Sequence, residues 1–130
     1  MTALQKLNRH KNTKVYDDMI IFHIKGREPV KLPCKSVMLH NTIVACVFSD
    51  PVLGDCVRIQ TGGWGTPTTR RRINEVFEAV GMVWNVYQRD HEQYVGGDGK
   101  EVEFEERMVV TRSGGVLHMV EGLYIGANNE

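Results

Sequence analysis

The chain has 130 residues, a length that fits one domain whose core needs no metal or disulfide staple. Its 16 basic and 16 acidic residues cancel, which excludes the global field that draws strongly basic proteins to nucleic acid or anionic membranes. Three cysteines, Cys34, Cys46 and Cys56, are odd in number and lack CxxC spacing, which argues against a disulfide framework and a zinc site and fits thiols in a reducing compartment.

From Met1 to Lys14 the chain is polar and basic, with no apolar h-region or small-residue cleavage site, and no run of about 18 apolar residues follows. Neither export nor membrane crossing is expected, and the protein is expected in the cytoplasm. The segment 1–14 reads as a mobile arm or as a short helix from Thr2 to His10, followed by a single domain over residues 15–125 and a frayed tail over 126–130. Met19 to Ile24 is β-branched and aromatic, and Val30 to Leu32 precedes Pro33, which together predict a strand pair near a sheet edge.

Thr42 to Ser49 and Asp55 to Thr61 flank the turn tetrad Pro51-Val52-Leu53-Gly54 and predict a hairpin. With Asp50 opposite Asp55, Phe48 meets Val57, Cys46 meets Ile59 and Val44 meets Thr61 on an apolar face. That register buries Cys46 and turns Cys56 toward the wetter side.

Pro67 to Val80 predicts the main helix: Thr66 is the N-cap, Pro67 takes the first helical position and Gly81 follows the last turn. Ile73, Val76, Phe77 and Val80 form one apolar stripe that docks on the hairpin, while Arg71 and Glu75 are placed to pair on the outer side. Val83 to Gln88, Gln93 to Val95, Glu101 to Phe104, Arg107 to Arg112 and Val116 to Val120 read as further strands, with turns at Gly96-Gly97-Asp98-Gly99 and Ser113-Gly114-Gly115. The fold class expected is α+β, antiparallel hairpins packed on one main helix at about residues 67–80.

The segment Thr61-Gly62-Gly63-Trp64-Gly65-Thr66-Pro67-Thr68-Thr69-Arg70-Arg71-Arg72 carries the strongest chemical signal. Helix N-termini present unpaired N–H groups and a positive dipole end, so three arginines in the first two turns oppose the dipole and ask for a reason. Glycines that let backbone N–H groups approach a ligand, threonine hydroxyls and bidentate arginines suit an oxyanion. The candidate ligand-binding residues are Gly62, Gly63, Trp64, Thr66, Thr68, Thr69, Arg70 and Arg72, joined by His40 from the strand that pairs with the one leading into the loop. The pattern matches neither a Walker loop nor the GxGxxG fingerprint. Its plain structural alternative is a strand-to-helix connection whose arginines pair with the acidic stretch Glu101 to Glu106. Trp64 likewise has two readings, a stacking platform or, as is usual at the start of a packed helix, a plug for the core.

His10, His91 and His118 have no partners at metal-ligand spacing, and His23 lies in an apolar strand as a core residue. No catalytic triad, Cys-His pair, cofactor motif or metal set can be assembled, so binding is expected rather than catalysis.

His40-Asn41-Thr42, the segment Thr61 to Thr69 with Arg72 and Asn74, Val86-Tyr87-Gln88 and Gln93-Tyr94-Val95 together resemble a group of small proteins encoded by tailed bacteriophages. The resemblance spans His40 to Val95 and implies a viral origin, hence a host-cell cytoplasm, without implying a mechanism. The leading expectation is a non-catalytic phage accessory protein whose partner is a phosphate-bearing ligand, a nucleic acid or a nucleotide signal. The alternative is an inhibitor or host-takeover factor that binds a host protein through a strand edge or the Tyr87 to Tyr94 surface. A third, weaker reading is an enzyme with His40 as acid or base. A homodimer is the expected oligomeric state.

Overall fold

The computed structural model describes residues 1–126, so the end of the expected tail, residues 127–130, lies outside them. A short 3₁₀ helix, Gln5–Arg9, precedes β1 (Thr13–Phe22), β2 (Val30–Leu39), β3 (Thr42–Asp50) and β4 (Gly54–Ile59). Helix α1 (Pro67–Ala79) is followed by β5 (Asn85–Arg89), β6 (Glu92–Gly97), β7 (Lys100–Glu103), β8 (Met108–Thr111), β9 (Val116–Val120) and β10 (Leu123–Gly126). All strand pairs are antiparallel, and the class is α+β as expected.

Seven strands form one sheet in the order β1-β2-β3-β4-β8-β9-β10, and β5-β6-β7 form a second. The large sheet curls until its last strand meets the chain just past its first: Tyr124 N donates to His23 O at 2.8 Å and Lys25 N donates to Tyr124 O at 2.9 Å. Each of the seven strands sends a side chain into the interior of that curl, where Ile20, Phe22, Cys34, Phe48, Cys56, Val109, Leu117 and Tyr124 pack together. Phe22 anchors the cluster, edge-on to Phe48 at 4.9 Å and tilted against Tyr124 at 5.2 Å. On the outer face Val37, Ala45, Val57, Ile59, Met108 and Val110 meet Ile73, Val76 and Phe77 of the helix together with Trp84, Val86 and Val95. The predicted helical stripe docks where it was expected.

The hairpin register is tighter by one residue than the sequence predicts. Asp50 faces Gly54, Phe48 faces Cys56 and Ala45 faces Ile59. Because both faces of this sheet are buried, apolar alternation does not choose between registers, and the turn does. The buried Asp50 carboxylate accepts from Val52 N at 2.9 Å, from Leu53 N at 2.8 Å and from Arg27 at 2.6 Å, while Gly54 closes the loop at φ +77°. Cys56 consequently lies inside the curl rather than on a wet face, and burial pushes its thiol up to about 12.

β1 and β2 are longer than predicted, ten residues each, because the polar stretch from Thr13 to Asp18 supplies one solvated face of a strand. Pro33 is tolerated inside β2 because pairing with β3 starts only at Cys34. The 3₁₀ turn buries Leu4 and Leu7 against the outer core, and β10, unpredicted, completes the closure. At its far end α1 finishes in a Schellman arrangement, Met82 N to Phe77 O at 2.9 Å and Gly81 N to Glu78 O at 3.1 Å. Arg112 adds donors to the carbonyls of Val80 and Gly81 there, a cation at the negative end of the helix dipole.

Candidate functional site

The segment between β4 and α1 wraps around a carboxylate of this same chain. Glu106, in the turn before β8, accepts from Thr61 N at 2.8 Å, from Thr61 Oγ1 at 2.8 Å and from Gly62 N at 2.7 Å. Gly63 N turns inward to Thr61 Oγ1 at 3.2 Å and Trp64 N to Thr61 O at 3.1 Å. The amides from Thr61 to Trp64 are therefore all engaged within the protein. Gly62 has φ +64°, and a Cβ there would lie 2.8 Å from Thr42 Cγ2, so this position has room only for glycine. Gly65 is similarly crossed by the Gln93 side chain.

The expected cap is present, with Thr69 N donating to Thr66 Oγ1 at 3.2 Å and the two hydroxyls 3.0 Å apart. Beside it lies a cleft of about 500 Å³ whose floor is Leu39 and Val44. His40, Thr42, Thr61, Trp64, Thr66, Thr68 and Thr69 supply its walls. His40 reaches it from a two-residue turn between β2 and β3, held at φ +56°. Trp64 is not the plug expected of an aromatic at a helix start: the residue is 68 % exposed. The core place belongs to Trp84, whose indole N–H donates to Thr111 O at 2.9 Å.

The three arginines diverge. Arg70 folds back over the loop, donating to Gly65 O at 2.6 Å, with the Gln93 amide oxygen 3.5 Å away. Arg71 is exposed and lines a second, shallower groove between α1 and β5, shared with Arg70, Asn74, Tyr87 and the acidic Glu78 and Asp90. Arg72 is buried and forms an ion pair with Glu75, which also meets His10 Nε2 at 3.2 Å. Glu75 thus pairs with Arg72 rather than with the Arg71 that helical spacing suggested, since one turn of helix offers both i+3 and i+4 partners. Among the described residues Arg72 Nε has no hydrogen-bond partner.

His40, Thr66, Thr68 and Thr69 therefore meet Trp64 around one cleft, while Gly62 binds Glu106 at its rim and Arg70 and Arg72 point elsewhere. The residue that the sequence reading passed over is Glu106. Its signal in the sequence is the acidic stretch Glu101 to Glu106, which reads as a partner for the arginines. The aromatic surface of the second sheet is closed on itself: Tyr87 stacks on Tyr94 at 6.0 Å, Arg89 lies 4.5 Å over the Tyr94 ring, and Glu101 binds both Arg89 and Tyr87. Among the described residues no group of three or more acidic, histidine or cysteine side chains is arranged to hold a metal, and no helix is long and apolar enough to cross a membrane.

No curated protein and no solved structure matches the chain. A family model does, over residues 2–111, and that span covers the curled sheet from β1 through β8, the helix and the cleft. The chain therefore belongs to the phage family described as Kyanoviridae Gp96 protein.

Proposed function

We propose that this phage protein is an accessory protein that binds a phosphate-bearing ligand of the nucleotide type in the cleft between His40 and Trp64. The observation that carries the reading is the exposed indole of Trp64, set on a loop that Glu106 and the helix cap hold in place, beside five threonines. A flat ring stacks on such an indole, and hydroxyls and the His40 imidazole supply hydrogen bonds to a ribose or a base edge. No residue lining the cleft carries a carboxylate, and Glu106, the carboxylate at its rim, is held by Thr61 and Gly62. Nothing in the cleft supplies a paired nucleophile and base, which favours binding over turnover.

Titration of Trp64 fluorescence with nucleoside monophosphates and short single-stranded oligonucleotides tests the reading, with Trp84 as the buried internal reference. Saturable quenching that is lost in Trp64→Ala is expected. Absence of quenching by every one of these ligands would reject it.

One observation favours the second reading, a factor that binds a host protein. Met19 and Ile21 lie exposed on β1, whose outer edge over those residues faces no other strand among the described residues. Recovery of one host protein on the wild type, resistant to nuclease and lost in Ile21→Lys, would favour that reading.

A further inference from the structure

Glu106 meets the loop as a ligand would. Three donors from two adjacent residues converge on both carboxylate oxygens, Thr61 N and Oγ1 on one and Gly62 N on the other. Backbone N–H groups arranged in this way recognise an oxyanion by charge and shape, and a phosphate presents the same pair of oxygens. The seat adjoins the cleft, because Thr61 contributes to both, and Trp64 follows it by three residues.

The turn that carries Glu106 does not depend on this contact. Arg107 N donates to Ile59 O at 2.9 Å, Met108 N to Glu105 O at 3.2 Å, and Tyr124 Oη to Arg107 O at 2.9 Å. Those bonds fix the backbone on both sides of an exposed glutamate, so its side chain can rotate out into water without unfolding the turn. Glu105, the neighbouring acid, is turned away and paired with His118. We propose that Glu106 is a displaceable occupant of an oxyanion seat formed by Thr61 and Gly62, and that a ligand phosphate takes its place. Glu106 then acts as a built-in competitor: the apparent affinity for phosphate falls by the fraction of molecules in which the seat is open.

This inference rests on the ligand-binding reading for its biological use, but the seat is tested separately with inorganic phosphate. In Glu106→Ala, millimolar phosphate is expected to raise the melting temperature, whereas the wild type, its seat filled, responds less. Nucleoside monophosphates are expected to bind Glu106→Ala about tenfold more tightly than wild type, and the corresponding nucleosides equally to both. A residue that merely buttresses the loop has the opposite sign, since its loss weakens nucleotide and nucleoside together. Glu106→Gln keeps the size of the side chain and replaces one acceptor by a donor facing Thr61 and Gly62, so it is expected to follow Glu106→Ala and guards against a folding defect in the truncated variant. Equal or weaker phosphate response in both variants overturns the inference, even where wild type binds nucleotides. A phosphate response in the variants without any nucleotide binding in wild type leaves the seat standing and rejects the ligand reading.

Discussion

Asn74 bonds both backbone groups of Val86, donating from Nδ2 to the carbonyl oxygen at 2.9 Å and accepting the amide at Oδ1 at 2.6 Å. A side-chain amide has the same donor and acceptor as a peptide unit, so Asn74 closes the edge of β5 that faces the helix as a neighbouring strand would. It thereby ties the small sheet to α1. Asn74→Ala strands one N–H and one C=O at a partly buried edge and is expected to cost about 2–4 kcal/mol. Asn74→Asp keeps the acceptor, loses the donor and is expected to cost less. Urea unfolding of the three proteins checks the order, and an alanine variant as stable as the wild type would show that water replaces the bond freely.

Asp50 sets the register of the central hairpin through charge. Its side chain is fully buried, and the hydrogen bond from Arg27, aided by the amides of Leu53 and Val52, holds its carboxyl at about 2 against 3.8 for the free group. A folded-state value below the unfolded one means that the stabilisation is complete above about pH 4 and is lost as pH falls toward 2. It amounts to about 2 kcal/mol. The stability difference between wild type and Asp50→Asn, measured by urea unfolding from pH 6 to pH 2, is expected to shrink steadily below pH 4. A difference that does not change with pH would remove the ion pair from the account.

This turn also shows where sequence reasoning reached and where it stopped. Pro51 and Gly54 located the hairpin, and Thr66, Pro67 and Gly81 bounded the helix to within a residue, because these signals act within a few positions of one another. The register depended on Arg27, 23 positions before Asp50, and the anion in the glycine loop came from Glu106, 44 positions after Gly62. Such partners are chosen by the closed sheet, which places the β7–β8 turn against the end of β4. Packing likewise decides which indole is buried: Trp84 fills the core, whereas Trp64, expected as a plug at the helix start, is exposed.

The thiols offer a check on that closure. Cys34, Cys46 and Cys56 are free and buried, and all face the interior of the curled sheet. Burial raises the Cys34 and Cys56 thiols above their ordinary value of 9.0, so at neutral pH the reactive thiolate is scarce as well as inaccessible. Native protein at pH 7.5 is expected to react with none of its cysteines on the timescale of a thiol-reagent assay, and all three are expected to react once urea unfolds it. At higher pH the sign is fixed by the raised Cys56 value: stability from this group is complete below pH 9 and declines as pH rises toward 12. Rapid labelling of Cys56 in the native state would mean that β1 and β10 separate in solution.

The ion pair inside α1 distinguishes structural arginines from available ones. Arg72 is 6 % exposed and relies on Glu75, whereas Arg71, one residue earlier, is exposed to solvent. Removing the carboxylate in Glu75→Ala leaves a largely buried guanidinium without its counter-charge, an expected loss of about 3 kcal/mol. The same change frees His10 and so loosens the 3₁₀ turn from the helix. Arg71→Ala removes only a solvated charge that opposed the helix dipole and is expected to stay within about 0.5 kcal/mol of wild type. If the two arginines act as assigned, Arg72→Ala unfolds at lower urea than Arg71→Ala, and the double variant Arg72→Met/Glu75→Leu recovers part of the loss by replacing the pair with apolar volume. Equal midpoints for Arg71→Ala and Arg72→Ala would place both side chains in water and return Glu75 to the partner that helical spacing first suggested.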